Sequence, residues 1–298
     1  MTPLGGWWSA WRAYALREVD PRPLAATRIA VCVAWLVDLL ALAPLGLVHD
    51  VFRPRVAGGF TDRSDPLAIL DDLSPTWGGP AAWLVAVCGL ALGAVGVAAR
   101  PALVVACVAL AQLGHLYPPG DRAIDRLLRT VLLLLAASGS HRAFALGRRA
   151  PPGRVPAWPA DTIRVLVVVV YLASGAGKLL EQPHWLARNG TPVLYRILTD
   201  PLNAQLDPVA TAWALPVYRA LGWGTIALEL TAPLLFTRHA RTWLAFGAAM
   251  HLGIAATMDL GLFSWGMLAL YPVLHSLGGV EPARPRADRT SDPLHSTA

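Results

Sequence analysis

One lysine is the residue with the clearest chemical potential in this sequence. Lys178 is the only lysine among the 298 residues, and it follows a largely apolar run that begins at Val165. An ionisable group at the end of such a run is costly to bury in a membrane, so it is a candidate for function by default. The alternative is that Lys178 extends from a helix end to the lipid headgroups without a chemical role.

The residues around this lysine favour a binding site. Ser174 and Gly175 precede it, and small residues let a second backbone or a ligand approach closely. Trp185, Asn189 and Gly190 follow it and are typical of a turn at the membrane interface, where they would shape the mouth of a pocket. A tryptophan at this place is also an ordinary interfacial anchor.

Three further polar residues lie in or beside later apolar runs. Glu229 and His251 are inside such runs, and Asp259 follows the second of them. Glu229 and His251 would serve as a proton relay or as a pair of ligands for a quinol. A hydrogen bond between two helices explains either residue equally well, and Asp259 also fits an exposed helix end.

A charged segment, DRAIDR, precedes the fourth apolar run. The i, i+4 spacing predicts that Asp125 pairs with Arg129, and His115 lies at the end of the run before it. The segment fits a solvated helix start as well as it fits a site. No phosphate loop, nucleophile elbow or metal-spaced histidine pair occurs, so we predict no metal cofactor.

The composition indicates an integral membrane protein. The chain is 55% hydrophobic and 15% charged, whereas soluble domains average about 25% charged residues. Its twelve tryptophans fit aromatic belts at two interfaces. The net charge of +6 comes from arginines between the apolar runs, which indicates orientation signals and contacts with membrane lipids rather than binding of nucleic acid.

The apolar runs predict an all-α, polytopic helical bundle with about eight transmembrane helices. The predicted spans are residues 24–48, 80–98, 102–117, 121–139, 161–180, 213–236, 242–258 and 262–277. Residues 1–23 would form an interfacial segment, 24–278 the membrane domain and 279–298 a disordered tail. The arginine distribution places both termini in the cytoplasm, with the protein in the plasma (inner) membrane. His115, Lys178 and Asp259 then share the opposite side, where we expect a pocket.

Two blocks of sequence resemble a known family. The first is YLASGAGKLL at 171–180, followed by Trp185 and Gly190, and the second combines residues 229–233 with HLGIAATMDLGLFSWGMLALY at 251–271. Together they are similar to the HTTM family, which includes the vitamin K-dependent gamma-glutamyl carboxylases. The resemblance extends over about 24–275 and implies a helical membrane domain.

The resemblance also implies a chemistry. Lys178 corresponds to the lysine that deprotonates reduced vitamin K in the carboxylases. Oxygen addition then gives a stronger base, which removes a γ proton from a peptide glutamate before carbon dioxide adds. A lysine in an apolar pocket loses its proton readily, and a quinol reaches it from the bilayer. The carboxylases have a histidine near the start of an earlier helix. This chain has Asp125 in the corresponding region, and the histidine nearest to Asp125 in the sequence is His115.

Two functions therefore stay open at the level of sequence. The first is a carboxylase-like lyase that acts on a lipid-soluble quinol and on a peptide or partner protein. The second is a non-catalytic membrane module that binds lipid or quinone, or a small transporter component, with the same fold but without the reaction.

Overall fold

The structure is a computed structural model that describes residues 3–53, 57–59, 76–147, 151–186, 192–198, 200 and 214–276. Regular structure in these residues is helical apart from one antiparallel pair of two-residue strands, β1 (Glu18–Val19) and β2 (Val155–Pro156), so the predicted all-α class is confirmed. The α-helices are α1 (Pro3–Ala15), α2 (Arg22–Ala41), α3 (Val48–Val51), α4 (Gly78–Val95), α5 (Ala99–Leu116), α6 (Ala123–Ala137), α7 (Trp158–Leu180), α8 (Val193–Leu198), α9 (Leu215–Leu230), α10 (Ala240–Thr257), α11 (Leu262–Ala269) and α12 (Tyr271–Ser276). Short 3₁₀ helices cover Pro118–Gly120, Ser140–Arg142, Pro183–Leu186 and Ala232–Phe236.

Four of the described helices are long and apolar enough to cross a membrane, namely α2, α4, α5 and α7. Prolines interrupt three of the predicted spans. Helix α2 ends at Ala41, ahead of Pro44, and α9 gives way after Leu230 to the 3₁₀ helix that contains Pro233. The last run divides into α11 and α12 next to Pro272. Proline lacks the amide hydrogen that continues a helix and restricts the residue before it, which explains these breaks.

Helices α4 and α5 form a tight hairpin, with Arg100 and Pro101 in the first turn of α5. Gly96 ends α4 with a φ of +79°, a conformation that glycine adopts without strain. The two helices approach closely at Gly89, where an added Cβ would lie 2.9 Å from the carbonyl oxygen of Ala102. The hairpin packs against α2, which also contacts α6, α11 and α12 and so lies at the centre of the described bundle.

Helix α2 carries an arginine that is completely buried. Arg28 donates hydrogen bonds from its Nη atoms to the carbonyl oxygens of Ser140 (2.7 Å) and Phe144 (2.9 Å), with longer contacts to those of Ala94 and Ala143. These carbonyls lie at the ends of α4 and α6 or just beyond them. The guanidinium group therefore satisfies acceptors that the helices leave unpaired and joins three parts of the chain.

Contacts along α7 fix the direction of its neighbours. Near its start, Arg164 donates to the carbonyl oxygen of Leu274 in α12 (3.2 Å), and halfway along, Tyr171 bonds to His251 in α10. The end of α7 therefore lies at the same end of the bundle as the end of α10. We call this the lysine end. Arg122, just before α6, donates to the carbonyl oxygen of Leu260 beyond α10 (2.7 Å), which places the start of α6 there as well.

The buried arginine gives the first testable prediction. Replacement of Arg28 by methionine keeps the apolar stem but leaves the carbonyls of Ser140 and Phe144 without a donor. We expect a loss of about 2–4 kcal/mol in the free energy of unfolding, measured as a lower thermal midpoint of the purified protein. Arg100→Met is the control, because Arg100 is exposed at the α4–α5 turn. Equal midpoints for the two variants would show that Arg28 does not join these segments.

Candidate functional site

Lys178 does not extend into solvent. From the last turn of α7 its Nζ atom donates to Glu229 Oε1 of α9 at 2.5 Å and to Ser174 Oγ at 2.7 Å. Ser174 Oγ also donates to Glu229 Oε1, at 3.1 Å. The side chains of Lys178 and Glu229 are only 17% and 8% exposed. The only lysine of the chain is thus held in a three-residue cluster between two helices.

The local sequence explains why this cluster forms. Ser174 and Lys178 are four residues apart and so lie on one face of α7. Gly175 lies beside them, and an added Cβ there would be 3.0 Å from Glu229 Cβ and 3.1 Å from the Leu230 side chain. The absence of a side chain at Gly175 allows α9 to approach closely enough for Glu229 to reach the lysine.

Trp185 covers the ammonium group from the far side. Its ring centroid is 5.3 Å from Lys178 Nζ, within the range of a cation–π interaction, and its indole nitrogen donates to Gln182 Oε1 at 3.0 Å. Beyond this ring lies a small cavity between the 3₁₀ helix Pro183–Leu186, α8 and α9. The residues that line it are His184, Trp185, Pro192, Val193, Leu194, Tyr218, Arg219 and Gly222. The cavity contacts Trp185 but does not reach Lys178.

The length of α7 matches the thickness of a bilayer. Twenty residues separate Trp158 from Lys178, which is about 30 Å along a helix axis. That length equals the hydrocarbon thickness of a typical membrane, about 30 Å. A bilayer with one interface at Trp158 would have its opposite hydrocarbon edge near Lys178.

His251 belongs to a separate group. Its Nε2 atom is 2.6 Å from the hydroxyl oxygen of Tyr171, and the imidazole is buried. The Tyr171 ring packs edge-on against Trp243, with 5.0 Å between centroids. Tyr171 precedes Lys178 by about 10 Å along α7, so His251 lies deeper in the bundle. The structure pairs Glu229 with Lys178 and not with His251.

Asp125 has a structural partner. Its buried carboxylate accepts hydrogen bonds from the backbone nitrogen (2.9 Å) and from Nε (3.2 Å) of Arg122, and it thereby caps the start of α6. The predicted pair of Asp125 with Arg129 is wrong. Arg129 and Arg126 bind Asp121 instead, at 2.6 and 3.0 Å. Burial alone would raise the pKa of Asp121, but these two hydrogen-bonded arginines outweigh it and hold the pKa below its ordinary value.

The other predicted site residues lie apart from Lys178 or outside the described part of the chain. His115 is half-buried in the last turn of α5, which packs against α4 and α6. Asp259 is exposed in the turn after α10, where it accepts a long bond from the Gly261 nitrogen (3.4 Å). Asn189 and Gly190 are not among the described residues. Within those residues no group of three histidines, cysteines or acidic side chains is arranged to hold a metal ion.

Two residues near the site did not stand out as partners in the sequence. Tyr171 is seven residues before Lys178 and so faces the same side of α7, a spacing that marks it as a neighbour of the site. Trp243 donates from its indole nitrogen to the carbonyl oxygen of Leu228 (3.0 Å), next to Glu229, and supports the end of α9. No local spacing points to Trp243, because its partners are on other helices.

The cluster has the parts of a proton-transfer site. Lys178 supplies an amine, Glu229 supplies a carboxylate that stabilises the protonated amine, and Ser174 supplies a hydroxyl between them. Within the described structure, Glu229 Oε2 is buried and has no hydrogen-bond partner. A buried carboxylate oxygen in this state is available to a further donor, such as the hydroxyl group of a ligand.

The cluster predicts how Lys178 reacts with an amine-selective reagent. Glu229→Gln replaces the charged acceptor of the Lys178 Nζ hydrogen bond with a neutral amide, so the amino group is held less tightly and meets the reagent more often. We expect labelling about tenfold faster at neutral pH, since bonds between charged groups are worth about 1.5–3 kcal/mol. Mass spectrometry reads one side chain, because the chain has no other lysine.

The control for this measurement is Glu181→Gln, which removes an exposed carboxylate three residues after Lys178. Its labelling rate should match that of the unchanged protein. If Glu229→Gln also leaves the rate unchanged, the contact with Glu229 does not hold the amino group of Lys178.

Comparison with known proteins agrees with the resemblance inferred from the two sequence blocks. A family model described as the HTTM domain matches residues 126–277, just over half of the chain, including Lys178, Glu229 and His251. No curated protein matches the sequence, and no solved structure matches it. With its membrane-length apolar helices, the chain is a membrane protein that belongs to the HTTM family.

Proposed function

We propose that this protein is a carboxylase-like membrane enzyme in which Lys178 is the base that deprotonates a lipid-soluble quinol. The observation that carries the proposal is the position of Lys178 Nζ, 2.5 Å from a buried carboxylate at the edge of the membrane core. A lysine that only contacted headgroups would point outward and would need no buried partner. A lysine between helices, with an acid and a hydroxyl, fits proton transfer.

The surroundings of Lys178 fit a ligand that arrives from the bilayer. Ser174 is exposed on the outward face of α7, and so is Val170, one turn earlier on that face. Leu179 and Leu180 next to the lysine are exposed as well. An apolar ring system therefore has a lateral route to the cluster and need not cross water, which is the access that reduced vitamin K or a similar quinol requires.

The residues have distinct parts in this proposal. The proposed step begins with Lys178 as a free amine whose N–H donates to the Glu229 carboxylate, and the only proton that moves is the one from the quinol hydroxyl to Nζ. When the amine takes a proton from the quinol hydroxyl, the new ammonium keeps the contacts with Glu229 and Ser174 seen here. Glu229 thus favours proton abstraction by stabilising the protonated base.

The remaining chemistry would come from the co-substrates. With oxygen, the deprotonated quinol supplies a base strong enough to remove the γ proton of a glutamate, to which carbon dioxide adds. The glutamate would belong to a peptide or a partner protein at the lysine end.

The proposal includes a membrane arrangement. The helices α2, α4, α5 and α7, which are long and apolar enough to cross a bilayer, would supply four crossings. The segments α6, α9 with Ala232–Phe236, α10, and α11 with α12 would supply four more. With eight crossings, both termini would lie on the same side of the membrane. The arginine distribution indicates that this side is the cytoplasm and that the membrane is the plasma (inner) membrane. The lysine end then faces away from the cytoplasm.

Two observations favour the second candidate, a non-catalytic module that binds lipid or quinone, or a small transporter component. The carboxylases have a histidine in the region of Asp125, and here Asp125 caps the start of α6. The histidine nearest in sequence, His115, lies on α5, which packs against α4 and α6 and not beside Lys178. In this alternative the paired Lys178 would bind a ligand oxygen without removing its proton.

Oxygen uptake separates the two functions. Purified protein in nanodiscs, given a reduced naphthoquinone, should consume oxygen, and Lys178→Ala should lower the rate at least about 100-fold, the usual size of a general-base contribution. Leu84→Ala is the control, since Leu84 is an exposed leucine on α4 and has no contact with the cluster. The rate of Leu84→Ala should stay unchanged.

Equal oxygen uptake by Lys178→Ala, or none by any form, would contradict the enzymatic proposal. In that case, quinone binding that depends on Lys178 would support the non-catalytic module. Thermal midpoints of the variants show that each has folded.

A further inference from the structure

The first helix presents an unusual number of aromatic side chains to its surroundings. In α1, Trp7, Trp8, Trp11 and Tyr14 are 66%, 56%, 49% and 58% exposed. Trp8 and Trp11 stack on each other, with 5.0 Å between ring centroids. Large aromatic rings in water are unfavourable, so this surface requires a partner.

The four rings lie on one side of the helix. At 100° per residue they fall within an arc of about 120°. Ser9, Arg12 and Ala13 point to the other side, and all three are exposed. The helix is therefore amphipathic, with an aromatic face and a small polar face, as in helices that lie along a membrane surface.

The end of α1 is fixed to the start of a transmembrane helix. Arg17 forms two hydrogen bonds with Asp161 in the first turn of α7, at 2.7 and 2.8 Å, and its guanidinium carbon is 4.2 Å from the Tyr14 ring centroid. The backbone nitrogen of Ala157 donates to the carbonyl oxygen of Arg17 at 2.9 Å, beside the β1–β2 pair. These contacts place the end of α1 where α7 enters the membrane.

We propose that α1 is a membrane-surface helix that inserts its aromatic face into the phospholipid headgroup layer at the end of the bundle opposite Lys178. The position of α1 indicates that phospholipid headgroups cover its aromatic face. Helix α7 is long enough to span a bilayer, so headgroups would surround its first turn, at the level of Asp161. Indole rings prefer this layer, and Arg12 and Arg22 beside it suit anionic headgroups. The inference is independent of the function proposed for Lys178.

Spin labels test this placement in the full-length protein. In a Cys88→Ser background, which removes the exposed native cysteine, a label is attached at Trp11→Cys on the aromatic face or at Ser9→Cys on the polar face. The carrier is a nanodisc of phosphatidylcholine and phosphatidylglycerol. We expect the label at position 11 to collide with oxygen, to be protected from a water-soluble nickel chelate and to lie about 5–10 Å below the headgroup surface. The label at position 9 should show the reverse.

A second variant distinguishes a membrane contact from simple folding. Joint replacement of Trp7 and Trp8 by serine should expose the label at position 11 to the nickel chelate while the thermal midpoint of the bundle stays the same. Equal access of the chelate to positions 9 and 11 in the unsubstituted helix would overturn the proposal. So would dipolar broadening between labels of two molecules, which would assign the aromatic face to a second copy of the chain.

Discussion

The ion pair between Lys178 and Glu229 is the constraint on which the candidate site depends. Two opposite charges are held at the edge of an apolar core, where neither is stable alone, because desolvation costs each ion several kcal/mol. Each therefore requires the other within hydrogen-bonding distance. This requirement draws α9 onto α7 at Gly175 and holds Trp185 over the ammonium group. The pair thus defines the local packing as well as the chemistry.

The same helix organises other parts of the bundle. Polar side chains recur along α7, and each contacts a different segment of the chain. Asp161 binds Arg17 ahead of α2, and Arg164 binds the carbonyl oxygen of Leu274 in α12. Tyr171 binds His251 in α10, and Lys178 binds Glu229 in α9. In a membrane these directional contacts matter, because lipid competes well for apolar surfaces and cannot satisfy polar groups. The series fixes the depth and rotation of α7 relative to its neighbours, and so fixes the position of Lys178.

The sequence was sufficient for the class of protein and the helical architecture, because these depend on composition and local periodicity. It also offered a hydrogen bond between two helices as one explanation of Glu229. It did not identify Lys178 as the partner, because the two residues are 51 positions apart and meet only through the packing of α7 on α9. For Asp125 and Arg129 the local spacing predicted an ion pair that does not form. Asp125 instead caps the start of α6 by accepting a hydrogen bond from the backbone nitrogen of Arg122. The interrupted helices could have been read from Pro233 and Pro272, whose effect on a helix is local.

The central claim is that a quinol reaches the amine of Lys178. Since the chain has one lysine, protein labelled with ¹⁵N-lysine gives one side-chain nitrogen resonance. Addition of a reduced naphthoquinone to the protein in nanodiscs should shift this resonance, and Ser174→Ala, which removes one contact of the amine, should alter the shift. A saturated alcohol of similar size should have no effect. A resonance that is the same with and without the quinol would contradict the account, because Lys178 would then have no contact with such a ligand.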